Sequence, residues 1–228
     1  MTDSPLTIAV LGGTGQEGSG LAYRWAHAGH RVILGSRSEA KAADAARSMS
    51  ERIGSADVRG VQGVRGAQNR SAAAEAQVVV LAVPYAAQRS TVEEVRAELA
   101  GKILIDVTVP LVPPKVSRVQ LPEGGSAVEA IQKMLGESTR VVSAFQNVSA
   151  HYLSDLSRAI ECDVLVCGDD REAREVAVRL AADAGLRGVH AGVLANSAAT
   201  EALTSMLIAI NRHYKVPAAG IRITGVFH

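Results

Sequence analysis

The glycine-rich stretch LGGTGQEGSG near the amino terminus constrains the fold most, because it separates two different hydrophobic periodicities. The apolar run before it predicts a strand at 6–12, and the amphipathic pattern after it predicts a helix at 16–28. Gly13, Gly15 and Gly18 have the spacing G-x-G-x-x-G, which permits a tight turn and close approach of the backbone to a pyrophosphate. The stretch therefore predicts a dinucleotide-binding site, with N–H groups of the helix facing the phosphates. A merely tight turn is the alternative.

Apolar strands and amphipathic helices alternate through the first half of the chain. The run QVVVLAV is continuously apolar, which is typical of a strand covered by helices on both faces. Strands are predicted at 30–36, 58–63 (weakly), 77–84 and 102–110, and helices at 38–53 and 86–100, with a short helical turn at 72–76. This order predicts an α/β fold of Rossmann type, a doubly wound parallel sheet with right-handed crossovers.

The proline-rich segment 109–125 interrupts this alternation and can be neither a regular helix nor a central strand. Segments of this length inside compact domains are usually functional loops. Beyond it, the patterns predict strands at 140–145 and 163–168 and helices at 126–135, 149–160, 169–185 and 196–213. Asp169 and Glu172 have the spacing of a capping box at the start of a helix. In the last helix a stripe at i, i+3, i+4, i+7 is expected to pack on the domain or on a second subunit; it contains Leu203, Met206, Leu207 and Ile210.

The end of the second predicted strand indicates which dinucleotide is bound. An NAD site would carry an acidic residue here for the ribose hydroxyls, but the sequence has Ser36 and Arg37. Ser38 is a suitable N-cap, which places Lys41 in the first turn of the next helix. A guanidinium and an ammonium suit a 2′-phosphate, so the pattern favours NADP. The alternative is that both cations are solvated surface charges.

The charge and composition of the chain argue against some classes of binding partner. The formal net charge of +1 gives no electrostatic reason to expect nucleic acid or an anionic membrane as a partner. The acidic, polar amino terminus lacks the layout of a secretory signal, and no apolar stretch is long enough to span a bilayer. Cys162 and Cys167 lie five residues apart on a predicted strand, so their side chains point to opposite faces. We therefore expect free thiols, a cytoplasmic location and small-molecule partners.

Several blocks of the sequence resemble the family of NADPH-dependent reductases of coenzyme F420. They are LGGTGQEGSGLA, GSRSEAK, LAVP, VVSAF, CDVLVCGDD and AGVLANSAATEALTSMLIAINR, in the order typical of that family. The resemblance implies hydride transfer between NADP(H) and the deazaflavin coenzyme F420, usually in a homodimer. It also implies an NADP-binding Rossmann domain at 1–147, and at 148–228 a small C-terminal α/β lobe that completes the second-cofactor site and the dimer contact.

The same resemblance assigns candidate cofactor-binding residues. Besides Gly13 and Gly18, the pyrophosphate loop would comprise Thr14, Gly15, Gln16 and Glu17, and the 2′-phosphate clamp Ser36, Arg37 and Lys41. Val83 and Pro84 would line the nucleotide, while Val109, Ala150 and Ala219 would border the nicotinamide and the ring stacked on it.

One motif departs from the family. Archaeal members resemble SALHTIPA where this chain has SAFQNVSA, so Gln146 replaces an imidazole. Gln146 can hydrogen-bond a ring carbonyl but cannot carry a proton at neutral pH. A flavin, FMN or FAD, is therefore an alternative acceptor.

Catalysis of this kind needs alignment of two cofactors, so we expect neither a catalytic acid–base pair nor a metal. A dehydrogenase of β-hydroxyacids or imines is a second hypothesis, but a Lys one turn before Asn211 is missing. The third hypothesis is a protein that senses NADP without turnover.

Overall fold

A computed structural model describes residues 4–54 and 63–226. These residues form one eight-stranded sheet with the order β3-β2-β1-β4-β5-β6-β7-β8. The strands are β1 Thr7–Leu11, β2 Arg31–Ser36, β3 Val64–Gln68, β4 Val78–Leu81, β5 Ile103–Asp106, β6 Arg140–Ser143, β7 Asp163–Gly168 and β8 Arg187–His190. The helices are α1 Gln16–His27, α2 Glu39–Gly54, α3 Asn69–Glu75, α4 Tyr85–Glu94, α5 Ala127–Leu135, α6 Arg171–Asp183 and α7 Ser197–Tyr214.

Alternation along the buried strands divides the core into two layers, because successive side chains point to opposite faces of a sheet. Ile8 and Val10 face the layer that contains α1, α2 and α6, whereas Ala9 and Leu11 face the layer that contains α3, α4 and α5. With helices on both faces, the predicted α/β fold of Rossmann type is confirmed.

The strand directions differ from a wholly parallel sheet at one place. Strands β1 to β6 are parallel, but β7 pairs with β6 antiparallel through Val142↔Gly168 and Ser143↔Cys167. Strand β8 is parallel to β7 and was not predicted, because a sequence with one apolar residue, Val189, carries little strand signal. The C-terminal part of the chain therefore extends the same sheet, and the domain boundary after residue 147 stays a prediction.

Two predicted features differ in the structure, and a third prediction falls outside the described residues. The weak strand was predicted at 58–63, and all of it except residue 63 lies outside the described residues. The observed third strand starts at Val64. The helix predicted at 149–160 is a single 3-10 turn, Ala150–Tyr152. The cap of α6 is Asp170 and not Asp169, since Asp170 Oδ1 accepts from the N–H of Ala173 at 2.7 Å.

Cys162 and Cys167 are both buried free thiols, as predicted. Within residues 4–54 and 63–226, every helix is too short or too polar to cross a membrane.

Candidate functional site

The turn after β1 depends on its glycines for steric reasons. Gly12 has a φ of +82°, and a Cβ there would collide with Ala82 O, so the left-handed residue immediately precedes the G-x-G-x-x-G motif. Gly13, the first glycine of the motif, does not have a left-handed backbone, although this motif position is where the tight turn is expected. A Cβ there would lie 2.9 Å from Val10 O. A Cβ at Gly18 would lie 2.7 Å from Gly12 O. The glycines let α1 begin directly against the ends of the neighbouring strands.

The amino terminus of α1 opens at the carboxyl edge of the sheet. Gly15 is its N-cap and has no side chain to satisfy the first N–H groups of the helix. Thr14 and Gln16 are exposed beside it. Glu17 is partly exposed, yet burial of its carboxyl group and the charge of Asp106 raise its pKa to about 8. At neutral pH this carboxyl is therefore mostly protonated, and the helix terminus keeps its affinity for anions.

A cavity of about 210 Å³ lies between this turn and the ends of β2 and β4. The predicted residues that line it are Thr14, Gly15, Ser36, Arg37, Val83 and Pro84. Ser36 Oγ accepts from the N–H of Ser38 at 3.2 Å, and Ser38 Oγ accepts from the N–H of Lys41 at 3.4 Å. Lys41 is thus exposed in the first turn of α2 and is not among the lining residues.

Asn69 also lines this cavity, and sequence reasoning missed it. It is the first residue of α3, directly after β3, and only 3% of it is exposed. Parallel strands place their carboxyl ends at one edge, so an Asn at the end of β3 is the kind of signal that finds such a site. Because no strand was predicted at Val64–Gln68, Asn69 was left in a connecting segment.

Asp106 lies at the carboxyl end of β5. This fully buried residue ends β5, and its carboxylate accepts from the N–H of Thr108 at 2.9 Å and from Gln88 Nε2 at 2.7 Å. Burial outweighs these hydrogen bonds and raises the pKa of Asp106 to about 6. Thr108 Oγ1 in turn donates to Val83 O at 3.5 Å. This turn leads into Val109, which is partly buried.

Gln146 lies in the segment after β6 and is 2% exposed. Its Nε2 donates to Asp106 O at 2.7 Å, and Thr204 Oγ1 donates to Gln146 O at 2.7 Å. Its Oε1 is buried and has no hydrogen-bond partner among the described residues. Phe145, just before it, has a φ of +72°, which is uncommon for a residue with a large side chain. The amide therefore fastens the β5 turn to the β6 segment.

Ala150 and Ala219 lie in segments that approach each other, since Ser149 Oγ donates to Pro217 O at 3.5 Å. Ala150 opens the 3-10 turn that Ser149 caps. Ser149 and Ala219 line a second cavity of about 200 Å³, and the N–H of Ala219 donates to Asn211 Oδ1 at 2.7 Å. The predicted residues thus fall into two groups, one around the glycine turn and one around residues 146–150.

The chain is similar in sequence and in fold to known proteins. The family model described as NADP oxidoreductase, coenzyme F420-dependent, matches residues 7–110. The chain is 42% identical to an F420-dependent NADP reductase of Methanocaldococcus jannaschii, over 97% of this chain and 99% of that protein. It is 43% identical to one from Methanothermobacter thermautotrophicus, over 97% and 96%. A crystal structure of a putative F420-dependent NADP reductase from Arthrobacter sp. FB24 superimposes with a TM-score of 0.76, at 26% identity over 96% of this chain and 99% of that one.

Proposed function

The chain belongs to the family of coenzyme F420-dependent NADP oxidoreductases, and on that premise we propose that it transfers a hydride between NADP(H) and coenzyme F420. The observation that carries the proposal is the cavity in which the glycine turn of α1 meets Ser36 and Arg37. A phosphate-binding helix terminus and a guanidinium in one cavity fit a dinucleotide with a 2′-phosphate.

The pyrophosphate of the nucleotide lies against the start of α1 in this proposal. Thr14, Gly15 and Gln16 surround the terminus, and Gly13 and Gly18 allow the backbone to come close. Glu17 follows them in the first turn, where a negative charge would repel phosphate. Its raised pKa of about 8 keeps the carboxyl mostly neutral at pH 7 and removes this repulsion.

Ser36, Arg37 and Lys41 hold the 2′-phosphate. Arg37 lines the cavity, and Lys41 lies one turn further along, on α2. Neither cation forms an ion pair with any residue that the structure describes, so both are available to an anion. A guanidinium binds phosphate oxygens through two parallel N–H bonds, so this site favours NADPH, which carries the 2′-phosphate, over NADH.

The ring-binding half contains Val109, Gln146, Ala150 and Ala219, whereas Val83 and Pro84 line the nucleotide in the cavity at the glycine turn. The two cofactors, when bound, supply the hydride donor and acceptor themselves. The residues of the chain align two flat rings and exclude water, and the small, apolar side chains of Val109, Ala150 and Ala219 suit that task. No catalytic acid or base is assigned.

A homodimer in the cytoplasm completes the proposal. Met206, Ile210 and Tyr214 form an exposed stripe at i, i+4, i+8 on α7, whereas Leu207 is buried against the same chain. A second copy would cover this stripe. Light scattering should give a dimer mass for the wild type and a monomer mass for the double variant Met206→Glu/Ile210→Glu. A monomer mass for the wild type would overturn the proposed homodimer.

The activity is tested by mixing the protein and NADPH with coenzyme F420, and separately with FMN and FAD. Oxidation of NADPH is expected with F420, at a rate proportional to enzyme concentration. Oxidation with a flavin alone would identify the other acceptor, and nucleotide binding without oxidation by any of the three would favour a sensor.

The 2′-phosphate clamp is tested with Arg37→Asp. We expect kcat/KM for NADPH to fall at least about 10-fold more than for NADH, because charge-assisted hydrogen bonds to the phosphate are lost. Arg47→Asp makes the same charge change on an exposed position of α2 that does not line the cavity, and should leave the ratio unchanged. Equal losses for both nucleotides in Arg37→Asp would refute the assignment.

A further inference from the structure

Of the two polar atoms in the side-chain amide of Asn69, one has a hydrogen-bond partner and the other has none among the described residues. Its Nδ2 donates to Glu94 Oε2 at 3.1 Å. Since a carboxylate accepts hydrogen bonds, this contact fixes the amide orientation and leaves Oδ1 on the other side. That Oδ1 is buried and has no hydrogen-bond partner among the described residues. A buried acceptor without a donor is costly, so the position calls for a donor that arrives with a ligand.

The surroundings of Asn69 indicate which part of a ligand this is. Oδ1 lies next to the backbone of Gly35, where a Cβ would come within 3.1 Å of it. Ser36 and Arg37 follow immediately, so the site adjoins the proposed 2′-phosphate clamp. The cavity beyond is walled by the small side chains of Ala82 and Ala87, with Pro84 beside them. Such walls fit a flat, aromatic ring system.

We propose that Asn69 reads the exocyclic amino group of the nucleotide base, with Oδ1 accepting a hydrogen bond from that amine. The inference rests on the proposed function and deepens it, since it assigns the specificity of the NADP site for an aminopurine base. A base that carries a carbonyl at this position would set two acceptors against each other. Glu94 is then a positioning residue, because it holds the amide in the orientation that presents oxygen.

The test compares NADPH with its deaminated analogue, reduced nicotinamide hypoxanthine dinucleotide phosphate. The two differ only at C6 and N1 of the base, where the analogue carries a carbonyl in place of the amino group and a proton on the ring nitrogen, and both carry the 2′-phosphate. Dissociation constants are measured by nucleotide fluorescence on folded protein. We expect the wild type to bind NADPH about 10-fold or more tightly than the analogue. In Asn69→Leu this ratio should fall towards one, mainly through loss of affinity for NADPH.

Two further variants separate base recognition from other effects. Ser36→Ala should weaken both nucleotides alike and leave their ratio unchanged, because the 2′-phosphate is common to them. Glu94→Gln can donate to Asn69 and so permits the amide to turn around, which should reduce the preference for the amino base. Circular dichroism of each variant establishes that the protein measured is folded.

The outcomes distinguish this inference from the proposed function. If NADPH binds and reduces F420 but the wild type accepts the analogue equally well, the role of Asn69 is refuted and the proposed function stands. Persistence of the wild-type ratio in Asn69→Leu would likewise refute it. If neither nucleotide binds, the proposed function itself fails.

Discussion

Arg24 offers the sharpest test of how the two halves of the site are held together. This residue of α1 is 5% exposed, and its guanidinium donates four hydrogen bonds to backbone carbonyls. Nε donates to Leu153 O at 2.8 Å, Nη1 to Ala184 O at 2.9 Å, and Nη2 to Tyr152 O at 3.2 Å and Asp155 O at 2.8 Å. Burial lowers the pKa of Arg24, and the charge of Asp155 opposes this shift. One side chain thus fixes the turn that begins at Ala150 onto α1.

The expected loss in Arg24→Met follows from these contacts. Four charge-assisted hydrogen bonds at about 1.5 kcal/mol each give roughly 6 kcal/mol. Removing the buried cation also recovers its desolvation cost, so we expect a net loss of about 3 kcal/mol in the free energy of unfolding. For a chain of this size, about 1 kcal/mol lowers Tm by roughly 2–4 °C, which predicts a fall of about 6–12 °C.

Thermal unfolding followed by circular dichroism measures the effect, with two matched variants. Arg24→Lys keeps the charge but not the planar fork of donors and should fall in between. Arg52→Met is the surface control, because exposed Arg52 donates at 3.0 Å to Ser154 O in the same turn; we expect a loss below about 1 kcal/mol. The reasoning fails if Arg24→Met melts within about 2 °C of the wild type, or if Arg52→Met loses as much.

Two further predictions concern α1. Gly20→Ala places a Cβ against Leu153 Cβ and should lower Tm clearly. Gly54→Ala, whose Cβ would meet no described residue within 4 Å, should leave Tm unchanged or raise it, and equal Tm values for both variants would contradict the steric argument. Glu17→Gln tests the raised pKa: the folded protein binds a proton at Glu17 more tightly than the unfolded chain does, so wild-type stability falls as pH rises from about 4.5 to about 8. Glu17→Gln lacks this loss of stability. The Tm of the variant should therefore equal the wild-type Tm near pH 4.5 and exceed it most above pH 8. A Tm difference that does not change with pH would refute the raised pKa of Glu17.

The glycine turn and α1 were predictable because one contiguous stretch of sequence builds them. The apolar run of β1, the spacing of Gly13, Gly15 and Gly18, and the amphipathic pattern of α1 all act locally. Each of these signals is visible within a window of about one helix length. The same holds for β2 and for the Ser38 cap that precedes Lys41.

The edges of the sheet were less predictable because tertiary contacts define them. In β8 a Cβ on Gly188 would lie 2.9 Å from Val178 Cα, so close packing on α6, not strand propensity, selects that residue. The reversal at β7 depends on two residue pairs with β6. A local pattern carries no information on the direction in which a strand pairs.

The residues proposed to bind the rings could be suggested by family resemblance but not by pattern, and the contacts of Gln146 show why. The segments that form it are distant in sequence and are joined by single side chains that bond to backbone: Gln146 reaches Asp106 O, Thr204 reaches Gln146 O, and Asn147 Nδ2 donates to Asp163 O at 2.6 Å. Such bonds follow no periodicity. Position in a motif therefore does not reveal whether a polar atom faces a cofactor or the protein. One of the two N–H donors of Gln146 Nε2 bonds to Asp106 O, so this amide supports the turn before Val109 and is not wholly available to a ligand.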